Sequence, residues 1–136
     1  MYNPQLVQPM REELTSIGVQ ELLTPEDVDS NLQSSGTALV VVNSVCGCAA
    51  GGARPGVAMA LQNEKRPEKA FTVFAGQDKE ATAKAREFFV GYPPSSPSAA
   101  LLKDGNIVFM LERTDIEGFS PEQISEKLIK AFEEHC

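Results

Sequence analysis

With 136 residues, 42% of them hydrophobic and 23% charged, the chain has the size and balance of one soluble globular domain, residues 1–136, that forms a core without staples. A formal net charge of −7 sets the surface as a whole against nucleic acid and anionic membranes as partners. No apolar run approaches the roughly 18 residues of a membrane span, and MYNPQLVQPMREEL lacks the basic start and apolar stretch of a secretory signal, so a cytoplasmic location is expected.

In chain order, PMREELTSIG (9–18) opens on proline and closes on glycine, predicting a helix within an N-terminal helical extension over 1–18. VQELL (19–23) predicts a short outer strand. TPEDVDSNLQSSG (24–36) predicts a helix capped by Thr24, with Pro25 in its first position and Gly36 as its stop. TALVVVNSV (37–45) is apolar without alternation, the pattern of a strand buried on both faces in a parallel sheet. Cys46-Gly47-Cys48 follows it directly, ahead of a helix over 56–65 with a restart or kink at Arg54-Pro55. AFTVFAG (70–76) predicts a further strand. DKEATAKAREFFVG (78–91) predicts a helix capped by Asp78, with Phe88 and Phe89 turned to the core. After the proline-rich loop YPPSSPS (92–98), SAALLK and NIVFMLER flank Asp104-Gly105 as a hairpin. Ser120 and Gln123 then form a capping box for a closing helix over 119–135.

This order is α/β: a mixed sheet flanked by helices, with an extra N-terminal helix. It resembles the thioredoxin fold. In such sheets the functional crevice lies where parallel strands pass into helices, and the CGC occupies such a place. Three cysteines in a reducing compartment read as catalytic, redox-sensing or metal-binding rather than as a disulfide framework. A cysteine at a helix N-terminus meets unpaired N–H groups and the positive dipole end, which favour thiolate, so Cys46 is the expected nucleophile. Cys48 is then the resolving thiol by elimination, with Gly47 giving the backbone freedom that a short, strained ring requires. Arg54 is a candidate source of positive charge beside the sulfur. The thioredoxin resemblance implies a cis-proline opposite the dithiol, where Ser96-Pro97 stands, with backbone free to pair with an extended substrate. Gly47, Arg54, Ser96 and Pro97 are therefore the expected substrate-binding positions. Asp78 and Gln77 are most simply a helix start, His135 a solvated side chain and Cys136 a free end. Gly51 and Gly52 read as permitting close packing, because no phosphate-binding motif is completed.

VVVNSVCGCAAG with ARPG, VFAGQDKEATAKAREFF, PPSSPS with ALLKDG, IEG and the terminal cysteine of AFEEHC resemble the bacilliredoxins, small thioredoxin-like proteins with a CGC site. The resemblance implies a thiol-disulfide oxidoreductase that removes bacillithiol, the low-molecular-weight thiol some bacteria use in place of glutathione, from mixed disulfides with protein cysteines. It implies Cys46 attack, Cys48 or a second bacillithiol for resolution, S-thiolated client proteins and an upstream reductase as partners, bacillithiol as co-substrate and no tightly bound cofactor. Histidines often found around IEG in that family are absent, Thr114 and Phe119 standing there instead. Three alternatives stay open: a general disulfide isomerase or reductase, a non-enzymatic CxC redox sensor, and a soft-metal binder. A closed zinc site would need ligands beyond Cys46 and Cys48, and only His135 and Cys136 remain as soft donors.

Overall fold

The computed structural model describes residues 1–136. Its centre is β2 (Thr37–Asn43), whose seven residues are all buried. Around it stand β1 (Gln20–Glu21), β3 (Lys69–Phe74), β4 (Ser98–Lys103) and β5 (Asn106–Leu111), in the spatial order β1-β3-β2-β4-β5. β3 runs parallel to β1 and β2, while β4 runs antiparallel to β2 and β5. Alternate residues of β2 serve opposite layers, as the two-residue period of a strand demands. Leu39 and Val41 pack with α1 (Pro4–Thr15), α3 (Arg54–Ala60) and α6 (Pro121–His135). Val40 and Val42 pack with α2 (Pro25–Leu32) and α4 (Lys79–Arg86). A helical layer on each face is why the β2 sequence is continuously apolar.

Several boundaries differ from the sequence reading. α1 starts at Pro4, capped by Asn3, and passes through Pro9 rather than starting there. The apolar spacing of Val7 and Leu14, both buried, keeps it helical across the one hydrogen bond that Pro9 removes. β1 has only two residues, and the buried Val19 and Leu22 flank it. α2 ends at Leu32, short of Gly36. Asp78 makes no capping bond to α4, because Arg11 takes its carboxylate with two bonds of 2.8 and 2.9 Å. Phe89 is buried and Phe88 only partly so.

Other expectations hold. Thr24 caps α2 by accepting from Asp27 N, and Ser120 and Gln123 exchange both bonds of a capping box at α6. Asp104 and Gly105 have φ of 51° and 80°, giving the two-residue hairpin turn that needs left-handed backbone at both positions. One short helix has no counterpart in the sequence reading: α5 (Arg113–Ile116) directly after β5. No helix is long and apolar enough to cross a membrane.

Candidate active site

β2 ends where a side chain intercepts the ladder. Asn43 is buried, and its Oδ1 accepts from its neighbour's Ser44 N at 2.9 Å and from Arg54 Nη1 at 2.9 Å, while its Nδ2 donates to Met10 O at 3.2 Å. Ser44 Oγ then accepts from Cys46 N at 2.9 Å. These bonds turn the chain out of the sheet and place Cys46 just before the helical backbone that starts at Gly47.

That helix is widened in its first turn: Ala49–Ala53 is π-helical, and Arg54 N donates to Ala49 O, five residues back. Pro55, which has no N–H to continue the ladder, follows at once, so the bulge has an identifiable cause. The widened turn places Arg54 differently from the sequence expectation. Its guanidinium is 2% exposed, lies behind the loop, donates to Ser44 O at 2.8 Å and forms an ion pair with Glu13 at 3.1 Å. Arg54 therefore neither flanks the sulfur nor is open to substrate; it braces the loop that carries Cys46.

Positive charge at the sulfur comes instead from Arg113. Its Nη2 lies 3.4 Å from Cys46 Sγ, its Nη1 donates to Ser96 O at 3.3 Å, and its Nε pairs with Glu117 at 3.1 Å. One guanidinium thus links the dithiol loop to the proline loop. Ser96-Pro97 is cis. Ser96 is half-buried but Pro97 is buried, so Ser96 presents the open edge, and Pro97 is a part of the loop's packing rather than a contact surface. Ser95 completes this corner, its Oγ accepting from Arg113 N at 3.5 Å and its carbonyl from Ser98 Oγ at 3.0 Å.

The two thiols are electrostatically unequal. Cys46 is held below the ordinary thiol range, first by the Cys48 side chain as donor and next by the Cys48 backbone N–H at 3.4 Å; these outweigh the cost of burial, and the Arg113 charge adds a lesser share. Burial chiefly pushes the Cys48 thiol up, and the neighbouring Cys46 sulfur raises it further. The arrangement favours one thiolate, on the outer sulfur, with a protonated inner partner. Gly47 between them is exposed, with open space on its side-chain face. A cleft of about 250 Å³ lies beside Cys46, between Ser96 and Arg113 on one side and Ala75 and Gly76 on the other.

Cys46, Cys48, Gly47 and Ser96 thus gather at one mouth, and Arg54 stands behind it. His135 and Cys136 do not join them. Cys136 packs against the α1–α3–α6 core layer near Thr37, the opposite end of β2 from the CGC, so neither residue can complete a metal site with Cys46 and Cys48 in the same chain. Arg113 was missed because it lies 67 residues from Cys46 and reads as the tail of a strand. No local signal marks it.

A dithiol at a strand-to-helix junction, faced by a cis-proline loop across a mixed five-stranded sheet, defines a thioredoxin-like thiol-disulfide redox protein. Solved structures agree on the fold. Fasciola hepatica thioredoxin superposes with a TM-score of 0.59 at 20% identity, over 87% of this chain and 100% of that one. Mitochondrial thioredoxin 3 of Saccharomyces cerevisiae gives 0.54 at 18% identity, over 88% and 98%. The Disulphide isomerase family profile matches residues 2–136. A bacilliredoxin of Bacillus cereus is 60% identical over 131 residues, 96% of this chain and 91% of its own, and one of Geobacillus kaustophilus is 57% identical over 136 residues, 100% and 93%. The chain belongs to the bacilliredoxin family.

Proposed function

We propose that the chain removes bacillithiol from mixed disulfides with protein cysteines, with Cys46 as nucleophile and Cys48 as resolving thiol. The observation that carries the reading is the inequality of the two sulfurs: Cys46 is stabilised as thiolate by Cys48 and by Arg113 at 3.4 Å, while burial and the Cys46 sulfur favour the protonated form of Cys48. The Cys46 thiolate attacks the bacillithiol sulfur of the mixed disulfide, forming a Cys46–bacillithiol disulfide; the client sulfur leaves with the electron pair and takes up a proton. Cys48, once deprotonated, attacks Cys46 Sγ and expels bacillithiol as thiolate, leaving a Cys46–Cys48 disulfide for a reductase to reopen. Alternatively a second bacillithiol attacks the bound one, leaving as bacillithiol disulfide and restoring the Cys46 thiolate. Ser96 offers backbone to the client chain beside the exchanging sulfurs. The family names given to relatives and the fold support thiol-disulfide exchange in general; the substrate rests on the family resemblance, and reaction in a cytoplasmic setting is part of the same proposal.

The test is turnover of one client protein carrying either bacillithiol or glutathione, by the wild type, Cys46→Ser and Cys48→Ser. Preference for the bacillithiol-bearing client, no turnover by Cys46→Ser and a trapped or slowly cleared adduct on Cys48→Ser are expected. Full activity of Cys46→Ser would overturn the assignment of nucleophile, and equal turnover of both clients would leave a general disulfide reductase or isomerase.

A further inference from the structure

The side of the cleft away from Ser96 is closed by the N-terminal segment. Tyr2 N donates to Gln77 Oε1 at 2.8 Å, and the Tyr2 ring lies on Gly76, where an added Cβ would meet Tyr2 Cε2 at 3.1 Å. Next to this contact, Arg11 holds Asp78 through two bonds and reaches Glu21 at 3.1 Å, fixing α1 against the turn that follows β3. Gln77 and Asp78 therefore seat the extension rather than merely start α4. Tyr2 lines the same cleft as Cys46, Ser96 and Arg113, the residue as a whole being 40% exposed. The result is a space of about 250 Å³ with a reactive sulfur, an aromatic wall and a guanidinium.

We propose that this space is the subsite for a low-molecular-weight thiol bearing a carboxylate, and that Tyr2 is its specificity-determining residue. The proposal rests on the thiol-exchange reading and deepens it. The volume is below the roughly 300–1,000 Å³ of pockets for drug-sized ligands, so it suits the short substituent of a small thiol and not a folded client. Arg113 keeps two guanidinium N–H groups beyond the three given to Cys46 Sγ, Ser96 O and Glu117, and with them its charge can attract a carboxylate. Tyr2 offers an apolar face and a polar tip to the rest of the substituent. The client then lies along Ser96, and the two halves of the mixed disulfide leave the sulfur in opposite directions.

The experiment uses the full chain with Cys48→Ser, in which the Cys46 thiolate attacks a small symmetrical disulfide, forms one mixed disulfide and releases one thiolate. Second-order rates are measured with glutathione disulfide and with cystamine, whose aminoethyl arm is shorter and carries no carboxylate. Adding Tyr2→Ala, or Gln77→Ala to release the Tyr2 segment, is expected to slow glutathione disulfide roughly five- to tenfold, the size of one lost aromatic contact. Cystamine rates and the pH titration of the Cys46 thiolate absorbance are expected to be unchanged, and Tyr2→Phe to keep most of the rate. In the chain with Tyr2 intact, esterifying the carboxylates of glutathione disulfide is expected to cost a similar factor. Unchanged glutathione disulfide rates in both Tyr2→Ala and Gln77→Ala, or an equal loss with cystamine, would overturn the role of Tyr2; an ester as fast as the acid would overturn the carboxylate. Since bacillithiol is not used, failure of the bacillithiol reading shows only in the client comparison above and leaves this result intact.

Discussion

Arg113 and Arg54 exchange the roles that sequence distance suggests. Arg54 is eight positions from Cys46 and looks inward, because the π-helical turn before Pro55 sets its side chain behind the loop. Arg113 arrives through the fold and touches the sulfur. Arg113→Gln is therefore expected to move the Cys46 pKa up toward the ordinary thiol range and so to reduce its thiolate fraction below the midpoint, the thiolate being the nucleophile. Alkylation of Cys46 accelerates with pH until the thiol is ionised and then levels off; in the variant that rise moves to higher pH. The two rates should differ by about two- to fivefold at and below the wild-type midpoint, the modest effect of an exposed charge pair, and converge in alkali. Stopped-flow alkylation across pH measures this, and coincident profiles would remove Arg113 from thiolate stabilisation. Arg54→Met belongs to a different measurement. It leaves Ser44 O and Asn43 Oδ1 each short of a buried donor, for an expected loss of about 1–3 kcal/mol in urea unfolding. The cysteines were legible as a site because both partners are local in the chain, whereas a guanidinium brought from 67 residues away leaves no local pattern.

At the scale of elements, the helix that carries the dithiol is held by its fit to α6. A Cβ at Gly56 would lie 2.7 Å from Ile124 Cγ2 and 3.2 Å from Pro121 O, and one at Gly52 would lie 3.0 Å from Ile124 Cδ1. The two glycines are one helical turn apart and let Ile124 sink between them, which fixes α3 and its widened first turn behind Cys46. Gly56→Ala is expected to cost about 1–3 kcal/mol by overpacking. At Gly52 the added methyl would crowd Ile124 Cδ1, the atom that Ile124→Val removes, so in the double variant Gly52→Ala/Ile124→Val part of the Gly52→Ala loss should return. Strict additivity in thermal or urea unfolding would refute the contact. α6 itself was plain in the sequence because its capping box and apolar stripe are local features. α1 begins five residues before the start that the sequence suggests, because Pro9 imitates a helix start while the true cap, Asn3, sits next to another proline. α5 spans four residues and has no period to detect.

Across the whole molecule, the sheet separates two kinds of thiol. The seven residues of β2 span roughly 20 Å at about 3.3 Å per residue. Cys46 and Cys48 follow its C-terminal end, and Cys136 lies by Thr37 at its other end, packed against the core. Burial pushes the Cys136 thiol up, while Cys48 and Arg113 bring Cys46 down. With too little iodoacetamide for all three thiols at neutral pH, Cys46 should be alkylated first and Cys136 late, an order that peptide mass mapping reads directly. The order follows from thiolate fraction and access together, so raising the pH should narrow the gap as Cys136 ionises. No intramolecular exchange can join the two ends of a folded sheet, so Cys136→Ser should leave turnover of a mixed disulfide within about twofold of the wild type. A larger loss in Cys136→Ser, in a chain whose unfolding is unchanged, would mean that the distal thiol reaches the dithiol of another copy. Turnover per chain would then rise with protein concentration, and that dependence would vanish in the variant.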